Sequence, residues 1–67
     1  MLQITLNGET QRFAAPLTVR GLLDALRLDQ RKVAVERNEE IVPRSRYGEV
    51  ELAPGDALEI VHFIGGG

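Results

Sequence analysis

Cysteine and tryptophan are absent from the 67 residues, and histidine occurs once, at His62. Disulfides, thiolate metal sites and a histidine cluster are therefore excluded, and no metal site is expected. A chain this short buries only about 60% of the surface its unfolded form exposes. Without a covalent staple, its stability has to come from a compact, regularly paired core. Long apolar runs are missing as well: none approaches the ~20 residues of a membrane span. The opening Met1-Leu2-Gln3-Ile4 has neither the basic stretch nor the apolar core of an export signal, so a cytoplasmic protein without membrane contact is expected. Charge of one sign does not dominate. Eight Lys+Arg against ten Asp+Glu give a net charge of −2, where a nucleic-acid binder would show a basic stripe. Hydrophobic residues at 43% and charged ones at 27% fit an ordered globular domain and not a disordered chain.

What is present is periodic. Leu2, Ile4 and Leu6 alternate with Gln3 and Thr5, as in a strand with one buried face. Asn7-Gly8 then signals a tight hairpin, and Glu9 to Ala15 reads as the return strand, anchored by Phe13 and ended by Pro16. Thr18 is placed to cap a helix, with Leu17 and Leu22 spaced as a hydrophobic staple. Val19, Leu22, Leu23 and Leu26 fall on one helical face. Gly21 inside that helix costs ~1 kcal/mol relative to Ala, which suggests close backbone packing. A strand over Lys32 to Arg37, a turn at Asn38 and a short strand Ile41-Val42 stopped by Pro43 follow. Arg44 to Val50 has no period and reads as a loop with one helical turn. Pro54-Gly55-Asp56 is a turn by residue type. Ala57 to Ile64 is the most apolar segment, suggesting a central strand. The order ββαβββ implies an α+β domain: one mixed sheet packed on one helix. Its core is expected to be Leu2, Ile4, Leu6, Phe13, Leu17, Leu22, Leu23, Leu26, Val33, Val35, Leu52, Leu58 and Ile60.

Catalytic chemistry has little to work with, and no catalytic residue is expected. The sequence has no G-x-x-x-x-G-K-[ST] loop, G-x-G-x-x-G turn or H-x-x-x-H pair. His62 sits in an apolar strand, Ser45 lacks nucleophile-elbow glycines, and Glu39-Glu40 reads as a solvated turn. Arg44-Ser45-Arg46-Tyr47 could offer guanidinium groups to phosphate, but a plain loop is the stronger reading. The unusual feature is Gly65-Gly66-Gly67 directly after the apolar strand. Side-chain-free residues can thread a narrow channel, and a terminal glycine carbonyl is unhindered once AMP transfer from ATP has activated it. The body is accordingly taken as residues 1–64, with 65–67 as a flexible tail.

The ββαβββ order with this glycine end resembles the ubiquitin-like β-grasp family. Val33-Ala34-Val35-Glu36-Arg37-Asn38, Ile41-Val42-Pro43-Arg44-Ser45, Pro54-Gly55-Asp56 and Glu59 through Gly67 are similar, more narrowly, to the sulfur carriers of thiamine biosynthesis. Glu39 departs from that pattern, in which glycine commonly follows the asparagine. The resemblance implies a carrier that is not itself an enzyme and binds no cofactor. A ThiF-like adenylating enzyme would use ATP to activate Gly67. A sulfur donor, a desulfurase, would then convert it to a thiocarboxylate, and thiazole synthase would take the sulfur. Carriers for tRNA thiolation or molybdopterin synthesis, and a ubiquitin-like binding module without tail chemistry, are the alternatives. Gly65 and Gly66 would thread into the partner's active site. Alternation also points Val61 and Phe63 away from the helix, on the face shared by Ala34, so these three are expected to dock partners. A loop such as Arg44 to Val50 folded over that face is the competing arrangement.

Overall fold

The computed structural model describes residues 1–63. Ile64 and the expected tail Gly65, Gly66 and Gly67 lie outside the described residues. The elements are β1 (Leu2–Leu6), β2 (Glu9–Phe13), α1 (Val19–Ala25), β3 (Val33–Arg37), β4 (Glu40–Val42) and β5 (Ala57–His62), with 3-10 turns at Gln30–Lys32 and Arg44–Arg46. They form one five-stranded sheet in the order β2-β1-β5-β3-β4. β1 and β5 run parallel, and the other neighbours are antiparallel. This is the α+β arrangement expected from the pattern, with the apolar last strand at the centre. Among the described residues, no helix is long and apolar enough to cross a membrane.

Local chemistry explains each element. Thr18 is extended and its Oγ1 accepts from the Gly21 N–H at 3.0 Å, capping α1. A Cβ on Gly21 would lie 3.0 Å from Leu17 Cδ1, so glycine there lets the incoming chain pack against the helix. Both hairpins turn through two left-handed residues, Asn7 (φ 48°) and Gly8 (φ 85°), then Asn38 (φ 51°) and Glu39 (φ 70°). The two asparagines do more than turn the chain, because each fastens onto β5. Asn7 Oδ1 accepts from Ile60 N at 2.8 Å while its Nδ2 donates to Ile60 O at 3.3 Å, extending the β1–β5 ladder with a side-chain amide. Asn38 Oδ1 accepts from Ala57 N at 2.9 Å, at the start of β5.

Glu39 has a side chain where the turn favours none, since a left-handed non-glycine residue is strained by roughly 1–2 kcal/mol. Glu39→Gly is expected to raise stability by about 0.5–1 kcal/mol once the greater freedom of unfolded glycine is subtracted. Urea denaturation reads this as a higher midpoint at unchanged slope. A lower midpoint would show that Glu39 makes a compensating interaction.

The helix-facing side of the sheet and α1 enclose Leu2, Ile4, Val19, Leu22, Leu23, Val33, Val35, Val42, Tyr47, Leu52, Leu58 and Ile60. The expected core needs two corrections. Leu6, Phe13, Leu17 and Leu26 are only half-buried at its margin, and Val19, Val42 and Tyr47 belong within it. Tyr47 is the larger surprise. The segment around it lies against the start of α1, with Val50 O accepting from Val19 N at 3.0 Å and Tyr47 O from Arg20 N at 2.8 Å. Arg44 to Val50 therefore closes the helix side of the core and does not cover the opposite sheet face. The return strand β2 also stops at Phe13, two residues before the expected Ala15.

Among the described residues, one charged side chain is buried. Asp56 is 5% exposed and accepts from Ala53 N at 2.8 Å, Arg37 Nε at 2.8 Å and Asn38 Nδ2 at 3.0 Å. Burial works to raise its pKa, but the Ala53 N–H, Arg37 and Asn38 outweigh burial and hold it below the ordinary 3.8. A carboxyl depressed on folding contributes stability that is present above its unfolded value and lost as pH falls through the folded one. Melting temperature should therefore drop as pH falls below 3.8. Asp56→Asn should lower the midpoint at neutral pH and flatten part of that acid slope. An unchanged slope would exclude Asp56 as a source of the acid sensitivity.

Candidate functional site

Strand alternation divides β5 between two faces. Leu58 and Ile60 point to α1, while Glu59 and Val61 point away, and Phe63 follows Val61 at the end of the strand. Pairing continues to that point, since Phe63 N donates to Lys32 O at 2.9 Å. The sheet thus holds β5 as far as Phe63, between β1 and β3 at its start and against β3 alone at its end. Val61 is 60% exposed and Phe63 55% exposed, large apolar side chains standing in water. Ala34 lies directly opposite Val61 on β3 and is half-buried. The structure therefore brings Ala34, Val61 and Phe63 together on the face that no helix covers.

Ile41, absent from the expected docking set, joins them. At 72% exposure it stands opposite Glu36 on β4, one step diagonally from Ala34. Its neighbour Val42 pairs with buried Val35, which fixes Ile41 outward. A two-residue apolar run before Pro43 carries no period, so only the pairing with β3 reveals which of the two faces water. Exposed apolar surface gathered on one side of a small domain is a feature of contact sites.

The other residues weighed for chemistry do not converge. His62 lies opposite Val33 and is exposed. Glu39 sits in the turn and Glu40 pairs with Arg37 across the hairpin. Within Arg44-Ser45-Arg46-Tyr47, Arg44 Nη2 donates to Arg31 O at 3.3 Å, Arg46 meets Glu49 at 3.5 Å, and the Tyr47 hydroxyl donates to Val33 O at 3.4 Å. These side chains leave in different directions, so they form no phosphate cradle. Among the described residues, no group of three His, Cys, Asp or Glu could hold a metal ion.

The sequence profile of the ThiS family matches residues 4–67. The chain is 47% identical to the sulfur carrier protein ThiS of Bacillus subtilis over the full length of both. It is also 56% identical over 66 residues to a thiazole synthase of Paramagnetospirillum magneticum, the match covering 98% of this chain and 20% of that protein. The chain thus spans about one fifth of the length of that relative. Among solved structures, it resembles the thiamine biosynthesis protein ThiS of Geobacter metallireducens. The TM-score is 0.84 and the identity 36%, over 98% of this chain and all of that one.

Proposed function

The chain belongs to the ThiS family, and from that premise we propose that it carries sulfur for thiazole formation on the carboxyl group of Gly67. A carboxylate oxygen of Gly67 attacks the α-phosphorus of ATP on an adenylating enzyme. Pyrophosphate leaves and a mixed anhydride forms. Hydrosulfide released by a sulfur donor then adds to the unhindered carbonyl carbon and gives up its proton to solvent. AMP departs with the former carboxylate oxygen, and the product is a thiocarboxylate. Thiazole synthase consumes its sulfur. An oxygen from the acceptor or from water takes the sulfur's place on the carbonyl carbon, and the carboxylate is regenerated for another round. In this reading the chain's part is to position the tail and present a recognisable body.

The observation that carries this reading is the meeting of two features at one point. The central strand is held by the sheet as far as Phe63, and the apolar strip of Ala34, Val61 and Phe63 lies beside that same end. A partner gripping the strip would receive Ile64-Gly65-Gly66-Gly67 immediately beyond it. Thiazole synthases of Paramagnetospirillum magneticum and Magnetococcus marinus contain a segment 56% and 50% identical to this chain. Joining carrier and acceptor in one polypeptide raises their effective concentration, which supports thiazole synthase as the acceptor here.

Mass spectrometry of the protein purified from its own cell tests the reading. A fraction whose mass reflects one oxygen replaced by sulfur, located on the Gly67 peptide, is expected. That fraction should disappear when the adenylating enzyme is deleted. Its absence from normal cells starved of thiamine would reduce the chain to a docking module.

A further inference from the structure

We propose that charge fixes the direction in which this chain docks. The partner that receives the tail carries a carboxylate-bearing rim facing Lys32 and Arg44, and a cationic group facing Glu36 and Glu59. The inference rests on the docking role given above to Ala34, Val61 and Phe63, and adds the chemistry of the surface that meets them.

The cationic end lies where β5 leaves the sheet. Lys32 is the residue whose carbonyl accepts from Phe63 N. Arg44 comes in from β4's side, its guanidinium bonded to the Arg31 carbonyl next in the chain to Lys32. Arg31 itself is neutralised by Asp29 at 3.0 Å. Among the described residues, neither Lys32 nor Arg44 lies within ion-pairing distance of a carboxylate. The anionic end lies four residues along β3, about 13 Å away at the rise of a strand. There Glu36 and Glu59 stand directly opposite each other, again without a cation among the described residues. Like charges in opposed positions repel, so a partner's cation placed between them relieves a strain that the free protein bears. Ala34 and Val61 occupy the interval between the two ends.

Along the central strands the uncovered face therefore runs from cationic Lys32 through apolar Ala34 and Val61 to anionic Glu36 and Glu59. Arg44 stands at the margin of the cationic end, where it is bonded to the Arg31 carbonyl. A flat apolar strip alone would accept a partner in either direction, yet only one direction aims Phe63 at a channel. Opposed charges at the two ends reject the reversed pose and steer the encounter, and they affect association more than final affinity. The four residues from Ile64 to Gly67 span at most about 14 Å when extended. The partner's acidic rim therefore lies within about 14 Å of the pocket that holds the nucleotide. A nucleic-acid backbone would suit Lys32 and Arg44 but would be repelled by the two glutamates on the same face.

Stopped-flow association of the full chain with its ThiF-like adenylating enzyme tests the proposal at about 10 mM and about 1 M salt, where the screening length falls from ~30 Å to ~3 Å. The double variant Lys32→Glu, Arg44→Glu should associate roughly tenfold more slowly than the parent at low salt and equally fast at high salt. Glu36→Lys should also slow association, yet it should raise the melting temperature because it removes the Glu36–Glu59 repulsion. Phe63→Ala should instead speed dissociation. Parent-like association of the lysine–arginine variant at low salt, with Phe63→Ala still binding weakly, overturns the charge proposal and leaves the docking strip standing. If Phe63→Ala also binds like the parent, the docking role itself is wrong. Loss of total-tRNA binding in the lysine–arginine variant, with enzyme association unchanged, would assign the cationic end to nucleic acid and overturn the proposal as well.

Discussion

Leu58→Ala is expected to leave the chain largely unfolded at room temperature. Leu58 is 1% exposed on the central strand, paired with Leu6 on one side and Arg37 on the other. Truncating a buried leucine costs roughly 2–5 kcal/mol, depending on how far the site collapses. A domain below ~70–80 residues without staples rarely holds more than about 3–5 kcal/mol in total. The two quantities are of the same size, so one substitution consumes most of the stability. Collapse is also hindered here, because Leu58 O accepts from Asn7 N at 2.9 Å and the strand is fixed by ladders on both sides. Urea denaturation followed by circular dichroism should show no native baseline, or a midpoint shifted far toward zero. Leu26→Ala is the contrast: Leu26 is half-buried at the C-terminal cap of α1, and its truncation should cost less than half as much. Equal losses for both would mean that the helix end is as tightly held as the centre of the sheet.

The contrast also shows where the sequence is legible and where it is not. Alternation in Leu2–Leu6 and Ala57–Ile60, the Asn7-Gly8 turn and the Thr18 cap are local signals, and each corresponds to an element in the structure. One helix for five strands implies an uncovered sheet face, and Val61 and Phe63 are indeed exposed there. Tyr47 could not be placed in this way. Its burial depends on a 3-10 turn that brings the segment back against α1 through bonds to Val19 and Arg20. Asp56 signals only a turn when read locally, because its partner Arg37 lies 19 residues earlier and meets it only after β3 and β5 have paired. Ile41 needs the β3–β4 register for the same reason. Helical periodicity, in turn, overstates Leu26, which sits beyond the last helical residue, where the chain is already leaving the core.

Adding a single alanine after Gly67 is expected to abolish AMP transfer while leaving the fold and the docking of the body intact. The sheet, the helix and the buried set of the described residues are all formed by residues up to Phe63. Melting temperature should therefore be unchanged. Affinity for the adenylating enzyme should stay close to that of the parent, since Ala34, Val61 and Phe63 are untouched. The proposed chemistry, however, belongs to one carbonyl carbon at one reach from the strip. An extra residue moves the terminal carboxylate by up to about 3.6 Å, and misplacement by about 1 Å is enough to cost roughly a hundredfold in rate. It also puts a peptide nitrogen where an oxygen must attack phosphorus, which removes the nucleophile from Gly67 altogether. Pyrophosphate exchange with ATP and the adenylating enzyme measures the step directly, and it should fall to the background seen without the carrier. Exchange at the parent's rate by the extended chain would show that the reacting carboxylate is not that of Gly67. The glycines would then be a tether, and the apolar strip the whole of the functional surface.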